Sequence, residues 1–305
     1  MKIILSFHLI FLTSLLGFSQ QDSQFTQYMY NTSNVNPAYA GSREVLSVFA
    51  LHRTQWVGLD GAPVTNTFNI NAPIGSNIGL GLGIINDRIG VSDENNISAD
   101  FSYSVQTSDS YKLAFGLKTS VNILNIAFDK LNFAVADPSF ETNVNNKFSP
   151  NIGLGLYLHS DNTYIGISVP NFLETRHYDR TSTINSAKIT AQEKMHIFFI
   201  AGHVFDLSEN IQLKPSILTK IVRGAPLQID VSANFMFNQK FVLGAAYRWS
   251  AAASLMAGFQ VNESWFIGYG FDLETTRLQR YNSGSHEIFL RYELPNQKII
   301  HPRFF

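Results

Sequence analysis

The chain has 305 residues, with 22 Lys and Arg against 23 Asp and Glu, and its formal net charge of −1 argues against a nucleic-acid partner. With no cysteine, disulfides, thiolate metal sites and thiol nucleophiles are excluded. Charged residues are 15% of the chain against about 25% in ordinary soluble domains, while aromatics reach 13%. A soluble all-β protein of this size would carry more Lys and Glu outside.

Residues 1–19 read as a secretory signal: Lys2, an apolar run from Ile3 to Phe18, then small or polar residues that fit cleavage near Ser19. The run is shorter than the ~20 residues of a membrane-spanning helix. Residues 20–43 follow as an N-terminal periplasmic segment, polar and aromatic, with too little alternation for a strand. Pro37 disfavours helix at Asn36. This segment is expected to pack against or inside the periplasmic end of the fold, with 36–41 as a turn that places the first strand or as a partner contact.

From residue 44 to 294 the chain reads as one all-β domain, with no linker or shift in composition to divide it. Apolar residues alternate with small or polar ones about every 15 to 20 residues. The clearest run is Tyr111, Leu113, Phe115, Leu117, Val121 and Ile123 against Lys112, Ala114, Gly116, Lys118, Ser120 and Asn122. About fourteen strands are predicted, starting near 45, 64, 77, 95, 111, 149, 163, 194, 211, 226, 240, 252, 264 and 285. Tight turns rich in Asn, Asp and Ser at 107–110, 159–162, 207–210, 237–240 and 261–264 alternate with longer joins at 86–96, 127–147, 171–194 and 275–283.

Such an apolar face points either to a protein core, as in a sandwich, or to lipid. The export signal, low charge, even strand number and alternating connection lengths point to a transmembrane outer-membrane β-barrel of about 14 antiparallel strands. No later segment is long and apolar enough for a helix, so a membrane location requires a closed barrel. Tyr103, Tyr111, Tyr247, Trp249, Trp265 and Tyr292 at strand ends suit interfacial girdles. The strand 285–294 resembles the terminal strand of outer-membrane barrels, followed by a tail, 295–305, that begins at Pro295.

The polar face carries Asp100, Asp230, Asp272, Glu274, Glu287 and Glu293 against Lys112, Lys118, Lys214, Lys220, Arg248 and Arg291. These are read as luminal charges, either a selectivity lining or ligand site, or a salt-bridge network that offsets the cost of charge in a narrow barrel. Truncating Lys118 is expected to cost far less than placing a charge at Phe115. No catalytic, metal or cofactor constellation emerges. His177 and His196 are too far apart for a local metal motif, no G-x-S-x-G elbow exists, and Gly79, Gly81 and Gly83 alternate along a strand with no helix to bind phosphate.

The stretch from Gln21 to Asn31, which includes Gln24, Phe25 and Tyr28, runs into Asn36, Pro37, Ala38, Tyr39, Ala40, Gly41, Ser42 and Arg43. It resembles the PorP/SprF family of outer-membrane proteins. Arg53-Thr54-Gln55-Trp56-Val57-Gly58, Gly61-Ala62-Pro63, Gly79-Leu80-Gly81 with Asn86-Asp87, and Ser285-His286-Glu287-Ile288 extend the resemblance over the chain after the signal. The resemblance implies a barrel that serves type IX secretion and gliding motility in the cell outer membrane. Its partners would be outer-membrane lipid and a large secreted surface adhesin, type IX secretion components, or both. The role implied is adhesin-associated export or surface attachment, with a core subunit of the apparatus as the alternative. A solute-transport barrel and a lipid-acting barrel enzyme are the rival readings.

Overall fold

The computed structural model describes residues 24–131, 142–181 and 188–294. The predicted signal, 1–19, and the tail, 295–305, lie outside the described residues, as do parts of the 127–147 and 171–194 joins. The wall begins with β1 (Ser47–Thr54), β2 (Val64–Ile74), β3 (Ile78–Ile89), β4 (Ser92–Gln106) and β5 (Lys112–Ile126), followed by β6 (Val144–His159) and β7 (Thr163–Val169). A separate hairpin, β8 (Arg176–Thr181) and β9 (Lys188–Gln192), lies in the join after β7. The wall resumes with β10 (His196–His203), β11 (Phe205–Ser208), β12 (Ile211–Val222), β13 (Gln228–Phe237) and β14 (Phe241–Arg248), and ends with β15 (Ala252–Gln260), β16 (Trp265–Glu274) and β17 (Ser285–Glu293).

Each wall strand pairs antiparallel with its neighbours, β17 returns to β1 through Ser47↔Glu293, and β10 pairs with both β7 and β12. The sheet is therefore closed. Both β10 and β11 pair with β12, so they form one wall strand with a break at Val204, and the ring has the predicted fourteen strands. The break has a local cause: Pro215 faces it from β12 and has no N–H to donate to the ladder, while the Val204 amide turns to the Asn162 carbonyl at 2.8 Å.

The alternation sets the two faces of the wall. Phe115, Leu154, Leu82 and Leu255 point outward and are 47% exposed or more, and the outer face as a whole carries an exposed apolar surface that soluble monomers do not tolerate. It is the outer face of an outer-membrane barrel. Tyr103, Trp265 and Tyr292 ring one end, the two latter with ring centroids 4.8 Å apart, and Tyr247 and Trp249 ring the other.

The two ends differ. One, the turn end, holds the start of β1, the end of β17 and tight connections such as 107–111, 160–162 and 209–210. The other, the loop end, carries 55–63, 127–143, 170–195 and 275–284. The expected long join at 86–96 is instead strand: β3 and β4 stay in register from Ile78↔Tyr103 to Ile89↔Ser92, with a turn at Gly90 and Val91. Asparagine drives the extension, because Asn86 Nδ2 donates to Asp93 Oδ1 at 2.9 Å and to Asn95 Oδ1 at 3.0 Å, tying the hairpin on its outer side. With β5 and β6 of 15 and 16 residues, this sector stands taller than the 9–11 residues a spanning strand requires.

If the outward face meets lipid, Phe115→Arg costs about 2–4 kcal/mol near the bilayer midplane. The denaturant midpoint of the refolded barrel, read from its heat-modifiable band on gels, should fall accordingly. An unchanged midpoint would show the faces to be assigned wrongly.

Candidate functional site

The lumen is filled. Residues 24–46 thread through it as an irregular plug with two short 3-10 turns, Thr32–Asn34 and Pro37–Tyr39. Gln24 Nε2 meets Gln228 Oε1 at 3.0 Å and Arg248 Nη2 donates to the Phe25 carbonyl at 3.4 Å, both at the loop end. The chain then descends and recrosses the lumen, and reaches the turn end where Ser102 Oγ donates to the Ala40 carbonyl at 2.6 Å. The predicted motif residues all lie on this plug: Tyr28, Asn36, Pro37, Ala38, Tyr39 and Gly41 with Gln24 and Phe25 at its head. Asn36 and Ala38 are 0% exposed.

Asn36 organises the middle of the plug. Its side chain accepts from the Ala38 amide at 3.0 Å, capping the turn that Pro37 begins, and its Nδ2 donates to the Leu156 carbonyl of β6 at 2.9 Å. Gly41 follows with φ +72°, and a Cβ there would press on the Cα of Gly79. Two strands along the same side of the wall, Gly116 of β5 also makes room for the plug: a Cβ on it would overlap the Ala38 backbone. The small residues on the polar face of the wall are in this sense seats for the plug.

The strongest anchor is ionic. Arg53 of β1 is 2% exposed; its Nη2 reaches Asp272 Oδ2 at 2.7 Å and its Nη1 reaches Glu287 Oε2 at 3.1 Å and Thr26 Oγ1 at 2.8 Å. The plug completes the cluster. Thr26 Oγ1 donates to Asp272, and the Thr26 and Gln27 amides donate to Glu287 at 3.1 and 3.0 Å. One guanidinium, one hydroxyl and two backbone amides thus satisfy two carboxylates on β16 and β17.

Other predicted luminal charges are also paired. Lys118 meets Asp100 at 2.8 Å, Arg248 meets Asp230 at 2.8 Å, Arg291 lies 3.6 Å from Glu293, and Lys112 reaches Glu44 at 2.5 Å at the turn end, half-exposed. Glu293 also bonds Arg43 of the plug. Burial alone would lower the Arg43 guanidinium pKa, but the Glu293 carboxylate more than offsets this and holds it above its ordinary value. Because Lys118 and Asp100 are both buried, the expected tolerance of truncation at Lys118 does not hold. Removing it leaves Asp100 buried without its partner.

Two features were not legible as charges or faces. Arg53 lies on β1, where the inward residues Phe49 and Leu51 are apolar and buried at 3% and 4%, so polarity does not mark the inward face there. Those side chains belong to an aromatic core inside the barrel: Tyr30 packs on Phe289 with centroids 4.7 Å apart, Phe49 on the same ring at 5.1 Å, and Tyr39 on Tyr157 at 5.6 Å. His196 is buried on β10, and no group of three metal-ligating side chains occurs among the described residues.

Above the plug a chamber of about 400 Å³ remains at the loop end. Gln24, Phe25, Tyr28, Asn34 and Val35 form its floor. Pro170 folds inward to form part of its wall, seated on Gly153, where a Cβ would overlap its carbonyl.

A closed, plugged β-barrel in the outer membrane is the class that fold and lumen define. The family profile described as type IX secretion system membrane protein PorP/SprF matches residues 17–292, and the chain belongs to that family. No curated protein matches it. Among solved structures, the CymD monoaromatic hydrocarbon channel is similar in fold, with 12% identity, coverage of 92% of this chain and 96% of that one, and a TM-score of 0.52. Omp33 of Acinetobacter baumannii (8% identity, 82% and 99% covered, TM-score 0.48) and the Pseudomonas putida toluene transporter TodX (10%, 91% and 96%, 0.47) are also similar. The family is described as a secretion-system membrane protein, and CymD as a monoaromatic hydrocarbon channel.

Two outcomes test the plug. Gly116→Leu, which collides with Ala38, should convert a barrel without resolvable current in planar bilayers into one with stepwise openings, its heat-modifiable migration retained. Arg53→Ala should destabilise the barrel by about 3–5 kcal/mol because it leaves Asp272 and Glu287 buried together. Adding Asp272→Asn and Glu287→Gln should recover most of that loss, and failure to recover it would remove the ionic anchor as the cause.

Proposed function

We propose that this protein is an occluded accessory barrel of the type IX secretion and gliding apparatus, supporting export or surface attachment of a large secreted adhesin through protein contacts. The observation that carries the reading is the filled lumen. A barrel of fourteen strands is wide enough to leave a channel, yet residues 24–43 occupy this one and are bonded to its wall at both ends. A solute pathway would have to break that network on every passage. The surfaces left for work are the two rims.

At the loop end, which this reading places outside the cell, the joins at 127–147 and 171–194 offer the greatest reach to a secreted partner. At the turn end the tight connections leave a low surface for periplasmic components of the apparatus. A core role in the apparatus, linking it to the outer membrane, would draw its contacts from that lower rim.

Deleting the gene should abolish surface display of one large secreted protein and leave permeability of the outer membrane to small solutes nearly unchanged. Shortening the two joins in turn should reduce retention of that protein while heat-modifiability persists. Full retention by both shortened, folded variants would move the contact to the turn end; a fall in solute uptake with display intact would favour transport.

A further inference from the structure

The arginines divide by position. Arg43, Arg53, Arg88, Arg248 and Arg291 each meet a carboxylate, whereas Arg223, Arg277 and Arg280 are exposed and meet none among the described residues. All three lie at the loop end on the β12–β17 side, in the connections 223–227 and 275–284. With 249–251 between them, these connections contain no Asp or Glu. On the other side of the rim the join 127–143 sets Asp129, Asp137 and Glu141 against Lys130, so the excess of positive charge belongs to one sector.

The acid nearest in sequence does not compensate it. Glu274 accepts from Trp56 Nε1 at 2.8 Å through one oxygen and from Thr276 Oγ1 at 3.3 Å through the other, so both are occupied by neutral donors. The loop itself is held in shape. Arg277–Arg280 is a 3-10 turn capped by Thr276, whose Oγ1 accepts from the Leu278 amide at 3.3 Å. Side chains three apart in such a turn lie over one another, so Arg277 and Arg280 share a face. Asn282 Nδ2 donates to the Leu278 carbonyl at 2.7 Å, and the Val57 amide bonds the Gly284 carbonyl at 2.9 Å, tying the loop to the 55–63 connection.

The register gives the level of this turn. Tyr247, Ala253 and Leu273 pair across β14, β15 and β16 as one outward row. The Thr275 amide then bonds the Ala251 carbonyl at 2.9 Å, and Arg277 follows two residues later. The arginine pair therefore stands just past the aromatic girdle, where Trp249 and Tyr281 are 67% and 68% exposed. Tyr and Trp at a barrel rim mark the headgroup level of the bilayer, and none of the three arginines borders the chamber. A guanidinium offers paired N–H donors that match a phosphate. An acidic protein would answer the charge alone; anionic lipid answers the charge, the exposed aromatics and the level.

We propose that Arg277 and Arg280, with Arg223 farther along the same rim, form a contact site for the phosphate groups of anionic lipid. The site does not rest on the secretory role proposed above. Held there, the low side of the rim lies at the membrane surface and the taller β3–β6 sector stands clear of it.

The probe is spin-labelled phosphatidic acid, compared with spin-labelled phosphatidylcholine, in phosphatidylcholine vesicles that hold the full barrel; the electron-spin spectra give the preference of wall-contacting lipid for one over the other. A preference of about fivefold for phosphatidic acid is expected, the effect of a basic group placed at a membrane surface. It should fall to near parity in Arg277→Gln/Arg280→Gln and persist in Arg88→Gln, whose charge is paired on the β3–β4 hairpin, with heat-modifiability confirming that each variant folds. Equal restriction of the two lipids by the unaltered barrel, or a preference unchanged in the folded double variant, overturns the proposal. Inorganic phosphate, added against chloride at matched ionic strength, separates the sources: a preference that survives supports lipid, and one that is abolished overturns lipid in favour of free phosphate. Binding of heptaglutamate that is lost in the double variant, with no lipid preference, overturns it in favour of an acidic protein partner.

Discussion

The guanidinium of Arg53 is the point on which wall and plug depend together. It lies between Asp272 and Glu287, on β1, β16 and β17, the three strands at which the sheet closes on itself. Two carboxylates and one guanidinium leave a net negative charge inside the barrel, which is costly unless further donors reach it. The plug supplies them, through the Thr26 hydroxyl and the amides of Thr26 and Gln27. Closure of the ring and occupancy of its lumen are thus one event in energetic terms: the seam is satisfied only when the plug is in place.

The rest of the interior follows from that occupancy. With lipid outside, the wall gains no core from its apolar face beyond what the bilayer provides, and the true protein core lies within the lumen. There Tyr30, Phe49, Phe266 and Phe289 stack, and Tyr28, Met29 and Ala38 are buried against the wall. Glycine and serine on the inward face serve this core rather than water. Gly79 and Gly116 admit plug backbone, and Ser102 and Ser168 bond the plug carbonyls of Ala40 and Val35. A composition that looks like a hydrated pore lining is therefore the imprint of a second polypeptide surface.

That distinction marks how far the sequence could be read. Strand number, faces, girdles and membrane location were legible, because period-2 alternation with a small polar face has few other solutions in a chain so poor in charge. The luminal set Asp100, Lys118, Asp230, Asp272, Glu287 and Arg291 was legible for the same reason. Their partners were not, since an ion pair such as Arg53 with Asp272 spans 219 residues and leaves no local spacing to find. The inward face of β1 was not legible, because alternation reports polarity and where the lumen holds an aromatic core the inward face is apolar too. The asparagine-rich stretch from Asn86 to Asn96 resembled a loop because asparagine is a turn residue; side-chain bonding between Asn86, Asp93 and Asn95 stabilises it as a hairpin instead.

The asymmetry of the rims then gives the occluded barrel a direction. At the turn end, where the connections are short, the Arg43 contact with Glu293 ties plug to wall. At the loop end the wall is high on the β3–β6 side and low beyond β12, and the plug stops short enough to leave a chamber. Tied to the wall below and recessed above, the plug leaves the lumen with two unlike ends. Under the accessory role proposed here, such a barrel contributes contacts at its rims rather than a pathway through its lumen.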